Sequence, residues 1–273
     1  MGRQEDWHPW VNDFLRKENP ILFQGDNFNR TMTPDGLDYL LEQNGIWKAV
    51  ILAEYSPLTT GVVTNEYVHQ FCKGRDRFIP FASLDPTSSE NPGGKAQLKP
   101  EEILETCVLD MGFKGLKLYP PYQHFYPNDP KMYPLYERAV ELNVPIMFHT
   151  GSSIYRNSKI KFGDPIHFDE VAADFPKLKI IMAHSGRGFW YERAFFLSRI
   201  HKNLYMEIAG LPPKNLLNYF PKLERNADKV IFGSDWPGVG GIGANVKAIR
   251  SLGLEKGTEE KILWRNAARV LEI

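Results

Sequence analysis

Seven short apolar runs, each separated from the next by a helical or loop pattern, constrain this chain more than any other feature. The runs are WKAVILAE (47–54), RFIPFASLD (77–85), FKGLKLY (113–119), VPIMFHT (144–150), LKIIMAHS (178–185), NLYMEIA (203–209) and KVIFGSD (229–235). Among the intervening stretches are TPDGLDYLLEQNG, TNEYVHQFCKG, KPEEILETCVLDMG, KMYPLYERAVELN, DEVAADFP and YERAFFLSRIH. Several open on Thr, Asp or Pro and close near Gly or Asn, as helices do. Strands that read as continuous apolar runs, joined by helices long enough to cross back, form a parallel sheet covered on its outer face. A repeat of roughly 25 to 35 residues suits a (β/α)8 TIM barrel, an α/β fold of typically about 250 residues. No linker or shift in composition marks a boundary, so residues 1–273 read as a single domain. TSSENPGGKAQ (87–97), rich in Ser, Gly and Pro, reads as a loop between strand and helix.

Charge narrows the partners. Lys plus Arg and Asp plus Glu each number 33, so no field of one sign recommends nucleic acid or an anionic membrane, and a small-molecule substrate is the expected partner. No apolar stretch approaches the roughly 18 to 20 residues of a membrane span. MGRQEDWHPW lacks the basic and apolar regions of a secretory signal, which makes a cytoplasmic address the expectation. Cys72 and Cys107 lie far apart without a Cys-x-x-Cys spacing, so they read as plain reduced cysteines.

In a barrel of this kind the carboxyl ends of the strands carry the chemistry. His149, His184 and Asp235 each stand where an apolar run gives way to small, turn-forming residues, in MFHTGSS, MAHSGRG and FGSDWPG. Taken singly, each has a plain alternative as a loop-bonding histidine or a helix cap. Three ionisable groups at equivalent places on strands five, six and eight point instead to one shared site, and two imidazoles with a carboxylate suit a divalent metal. Lys117 at the end of the fourth strand and Arg187 after His184 are expected to bind an anionic substrate group, with a surface position as the alternative for each. Tyr119, Tyr122, Phe189, Trp190 and Trp236 read either as an aromatic wall or as packing. The loop PGVGGIGANV (237–246) is a weak pointer to phosphate, and no nucleotide-binding motif accompanies it.

GFKGLKLYPPYQHFYPNDPKMYPLYERAVELNVPIMFHTGSS, FPKLKIIMAHSG, VIFGSDWP and ILWRNAARVLEI resemble the amidohydrolase-related family of TIM-barrel metal-dependent hydrolases. That branch also contains aminocarboxymuconate-semialdehyde decarboxylase, resorcylate decarboxylases and several hydratases. The resemblance runs from about residue 34 to the end and implies roles. His149 would be a metal ligand, His184 the catalytic histidine, and Asp235 both ligand and proton carrier, with Lys117, Tyr119, Arg187 and Trp236 around the substrate. It further implies zinc, or manganese in its place, and a homodimer. One family element is missing, the Asp-x-His-x-His that ends the first strand; this chain's histidines are His8, His69, His124, His149, His167, His184 and His201. The expectation is thus a barrel whose first strand is lacking through a late start, or is substituted by NPILFQG (19–25). With His149 and Asp235 alone a cation has two ligands where catalytic zinc takes three, and His184 or the loop residue His8 is the expected recruit. The leading functional expectation is metal-dependent hydrolysis of a small cyclic or carboxylated compound. The alternatives are non-oxidative decarboxylation on the same site and a non-catalytic barrel.

Overall fold

The computed structural model describes residues 2–87 and 98–273; the loop expected at 87–97 lies outside them except for Thr87. In chain order the strands are β1 (Ala49–Leu52), β2 (Glu54–Ser56), β3 (Gly61–Val63), β4 (Phe78–Ser83), β5 (Leu116–Leu118), β6 (Ile146–Gly151), β7 (Ile180–Arg187), β8 (Leu204–Glu207) and β9 (Val230–Ile231). Seven of them form one sheet in the order β1-β4-β5-β6-β7-β8-β9. Every pairing in it is parallel. All seven expected strands are there. β6 and β7 are buried on nearly every residue, which is why they read as unbroken apolar runs rather than as alternation.

The helical expectations hold in the same way, with helices at Pro34–Gln43, Asn65–Cys72, Pro100–Leu109, Tyr133–Glu141, Phe168–Asp174 and Tyr191–Ile200. Their starts obey local chemistry. Thr33 Oγ1 accepts from the Gly36 N–H and Thr64 Oγ1 from the Tyr67 N–H, each satisfying a helix-start donor that would otherwise be unpaired. Two features were not foreseen. The segment after β1 folds back as the antiparallel hairpin β2-β3, pinned to the N-terminal residues by a bridge between Trp7 and Gly61. NPILFQG, expected as a substitute first strand, contains a 3-10 helix over Pro20–Phe23, with Leu22 packed against Phe28 and Met32.

The described sheet is therefore one strand short of a closed barrel. On the side facing away from β8, the Phe232 N–H donates to the Ile262 carbonyl at 2.9 Å, and Asn266 Nδ2 donates to the Val230 carbonyl at 2.7 Å. C-terminal helical turns thus satisfy the polar groups along the β9 edge, as a buried sheet edge requires. Between β1 and β9 opens a cavity of about 1060 Å3, walled below by Ile51, Ile181, Ile231 and Val270 and reaching up to the carboxyl ends of the strands. Closed barrels fill this interior with side chains.

Candidate functional site

The upper part of that cavity collects His149, His184, Lys117, Arg187, Glu207, Asp235, Tyr119, Tyr122 and Trp236. Parallel pairing does most of the assembly. β6 and β7 run in register from Ile146 opposite Ile180 to His149 opposite Ala183, and the register then slips so that Gly151 lies opposite Arg187. The slip is made by a left-handed turn in β7, with φ of 65° at His184, 47° at Ser185 and 73° at Gly186. For the two residues with side chains this costs on the order of 1 to 2 kcal/mol each, offset by bonds around the turn. Thr150 Oγ1 donates to the Ala183 carbonyl at 2.6 Å and accepts from the Gly186 N–H at 3.1 Å. The outcome sets the His149 and His184 rings 4.6 Å apart, centre to centre. Asp235 is also left-handed, at φ 57°, so two of the three expected site residues sit on backbone that only the surrounding structure holds in place.

Both imidazoles are buried, and burial holds each well below its ordinary pKa. For His149 the next contributions come from His184, Arg187 and Lys117; for His184, from Arg187 and Lys117. Both rings are therefore neutral at neutral pH. His184 Nδ1 lies 2.8 Å from the Ala209 carbonyl, which can only accept, so that nitrogen carries the hydrogen. His149 Nε2 is buried without a hydrogen-bond partner. Asp235 Oδ2 faces Arg187 Nη1 at 3.7 Å. A side chain on Gly210 would meet this group directly, since its Cβ would lie 2.6 Å from Arg187 Nη1, 2.7 Å from Asp235 Oδ2 and 3.4 Å from His184 Nδ1.

Lys117, expected at the rim, is buried in the pocket. Its pKa is lowered to about 8 by burial, against the pull of Glu207, Asp235 and Glu54. Glu207 is the counterpart, raised to about 7 by burial and held down by Lys117. Glu207 and Glu54 were missed from sequence. Glu207 could have been found as the lone acid inside the buried run NLYMEIA, whereas nothing local marks Glu54, whose carboxylate accepts from Thr60 at the end of the β2-β3 turn. Tyr119 and Tyr122 stack at 5.6 Å, and Tyr122 packs on His149 at 4.7 Å. Phe189 and Trp190 do not line the cavity; Phe189 is 71% exposed. The other histidines lie elsewhere. His8 is tied to the Pro57 carbonyl at 2.7 Å and stacked on Trp10, so it is no recruit to the site. His69, His124, His167 and His201 contact Met111, Asn157, Lys161 and Asp169. The Gly-rich 237–246 loop leads into the helix Ile242–Arg250.

The donor set is one test of the expected metal. The bare Nε2 of His149 fits one coordination position, and Asp235 offers a carboxylate. Yet among the described residues no three His, Cys, Asp or Glu side chains converge to hold an ion, and Asp235 is turned to Arg187. These residues do not fit a three-ligand catalytic metal.

Comparison with known proteins agrees with the fold. A γ-resorcylate decarboxylase from Rhizobium sp. (strain MTP-10005) is 26% identical over 224 residues, 63% of this chain and 64% of that protein. The match thus spans less than two thirds of that relative's length. A TIM-barrel protein from Bordetella bronchiseptica superposes with a TM-score of 0.76 at 22% identity, covering 96% of this chain and 90% of the other. A dihydroxybenzoic acid decarboxylase from Polaromonas sp. JS666, solved with bound manganese and the inhibitor 2-nitroresorcinol, superposes at 0.65 with 19% identity, covering 87% and 85%. The fold is that of an incomplete (β/α)8 barrel. The Amidohydrolase family profile matches residues 21–273, nearly the whole sequence, and the chain belongs to that family of enzymes.

Proposed function

We infer that the chain is a non-oxidative decarboxylase of a small hydroxylated aromatic carboxylate. The observation that carries the reading is the buried Lys117, in one pocket with Arg187, two neutral imidazoles and Asp235. A buried ammonium is costly unless anions face it, and here it faces Glu207, Asp235 and Glu54 with room beside them for a substrate. Lys117 and Arg187 would hold the anionic groups, while Tyr119, Tyr122 and Trp236 would bound the ring. His184 Nε2, free because Nδ1 is engaged, would take the proton of a ring hydroxyl. Asp235 would relay a proton to the ring carbon bearing the carboxylate. The bond to that carboxylate then breaks, its electron pair restores the aromatic ring, and carbon dioxide leaves.

The decarboxylases among the similar proteins support this over the hydrolysis expected from sequence. Zinc or manganese, if held here, would find two ligands in His149 and Asp235. A cytoplasmic address fits the buried, unpaired Cys72 and Cys107. No helix among the described residues is long and apolar enough to cross a membrane. A homodimer rests on the family resemblance alone.

The test is incubation with 2,6-dihydroxybenzoate and a panel of other hydroxybenzoates, with and without added Mn2+ or Zn2+. Resorcinol and carbon dioxide are followed by chromatography and gas analysis. We expect product that disappears in Asp235→Asn; a folded protein inert on the whole panel under every metal condition sinks the reading.

A further inference from the structure

Glu207 stands at the end of β8 and reaches back towards β7. Its Oε2 accepts from the His184 N–H at 3.2 Å and its Oε1 from the Ala209 N–H at 3.1 Å, while its own carbonyl accepts from Ser185 Oγ at 2.8 Å. Ala209 in turn presents the carbonyl that receives His184 Nδ1–H at 2.8 Å. One buried carboxylate thus grips the backbone on both sides of the histidine: the residue that carries the ring and the residue that fixes the ring's hydrogen. Opposite it, Gly233 makes the space, since a Cβ there would lie 1.5 Å from Glu207 Oε1.

We propose that Glu207 is the positioning residue for His184, holding the left-handed turn of β7 and selecting the ring form with hydrogen on Nδ1 and a bare Nε2 facing the cavity. The physical reason is that consecutive left-handed residues have no regular strand bonds to hold them. The two oxygens of Glu207 each take one backbone N–H, and removing either acceptor leaves a buried donor unpaired. If the two amides were left to relax, the Ala209 carbonyl would drift from Nδ1 and the ring would be free to exchange its hydrogen between nitrogens. The catalytic part of the proposal rests on the decarboxylase reading; the structural part does not.

The experiment uses the whole chain labelled with 15N-histidine, with the His184 resonances identified by their loss in His184→Asn. In the unmodified protein Nδ1 should carry the hydrogen and Nε2 should be bare. Glu207→Gln keeps shape but turns one acceptor into a donor, and Gly233→Ala displaces the carboxylate while leaving every ionisable side chain in the sequence. Both should shift the ring towards the Nε2–H form and speed amide exchange at His184 and Ala209 by about tenfold, as loss of one buried hydrogen bond predicts. Glu54→Gln, a buried carboxylate of the same cavity bound to Thr60 rather than to the turn, should change neither. On a turned-over substrate, Glu207→Gln should lower kcat with little change in KM. An Nε2–H ring in the unmodified protein overturns the proposal without recourse to any variant. So do unchanged ring and amide signals in both Glu207→Gln and Gly233→Ala. The expected spectra with no turnover on any hydroxybenzoate would support the positioning role and remove the decarboxylase reading instead.

Discussion

Lys117 is where charge and burial compete most directly. Its ammonium is kept by Glu207, Asp235 and Glu54 in a place that would otherwise expel it, and its pKa falls to about 8. Raising pH through that value removes the charge, so binding of an anionic substrate should weaken and KM should rise. The fold responds in the opposite sense. Between about 8 and the ordinary 10.5 the folded lysine binds fewer protons than the unfolded one, so global stability rises with pH across that window. Lys117→Met should raise KM at neutral pH by roughly 10- to 100-fold, the worth of a buried hydrogen bond to a charged group, and should abolish the alkaline rise. Steady-state kinetics from pH 6.5 to 9.5 on both proteins, with urea melts alongside, checks both signs; a KM indifferent to Lys117 would take it out of substrate binding.

At the scale of elements, the register slip between β6 and β7 is the feature on which the site depends. Thr150 is fully buried and its hydroxyl bridges the Ala183 carbonyl and the Gly186 N–H. Thr150→Val preserves shape and removes both bonds, leaving a donor and an acceptor unpaired in the interior. The cost should be about 1 to 3 kcal/mol, read as a lower Tm, while Thr150→Ser, which keeps the hydroxyl, should lie closer to the parent. Equal losses in the two variants would mean that the methyl group, not the bridge, matters there. The expected donor strands delivered their residues because register is set by burial: a slip of one residue would turn the buried face of a strand outward.

The whole molecule is a parallel sheet with two unlike ends. β6 and β7 lie in the middle, buried and paired on both sides, whereas β1 and β9 each pair with one strand and flank the cavity. Amide exchange should follow that order. β6 and β7 should exchange only through global unfolding, and β1 should exchange through local opening at lower free energy, measurable by mass spectrometry of peptic fragments. Uniform protection across the sheet would show that the cavity does not weaken its edges. Filling that cavity should stabilise. Ala267 lines it beside Ile181, Ile231 and Val270, and Ala267→Leu should gain about 0.5 to 2 kcal/mol in a denaturant titration, provided the larger side chain enters the space rather than displacing the helix.

Much of this was written in the order of residues. Continuous apolar runs ending in His-Thr-Gly, His-Ser-Gly and Ser-Asp-Trp-Pro determined a parallel sheet and the rim on which His149, His184 and Asp235 stand, because burial of both sheet faces and the turn after each strand are local properties. Other matters were settled only by packing. NPILFQG is apolar enough for a strand, yet Leu22 finds Phe28 and Met32 close by in sequence and coils instead. Phe189 and Tyr122 look alike as aromatics near the rim, but one faces solvent and the other packs on His149. Glu207 carried a signal, an acid in a buried run, but not its purpose, which depends on two amides from the β7 turn and the segment after β8 and on the space left by Gly233. The sequence by itself determined the rim residues that end the apolar strands, His149, His184 and Asp235, but not Glu54, which no local pattern marks. Only the tertiary structure decided which charges face each other there, because the energy of a buried charge depends on neighbours brought from distant parts of the chain.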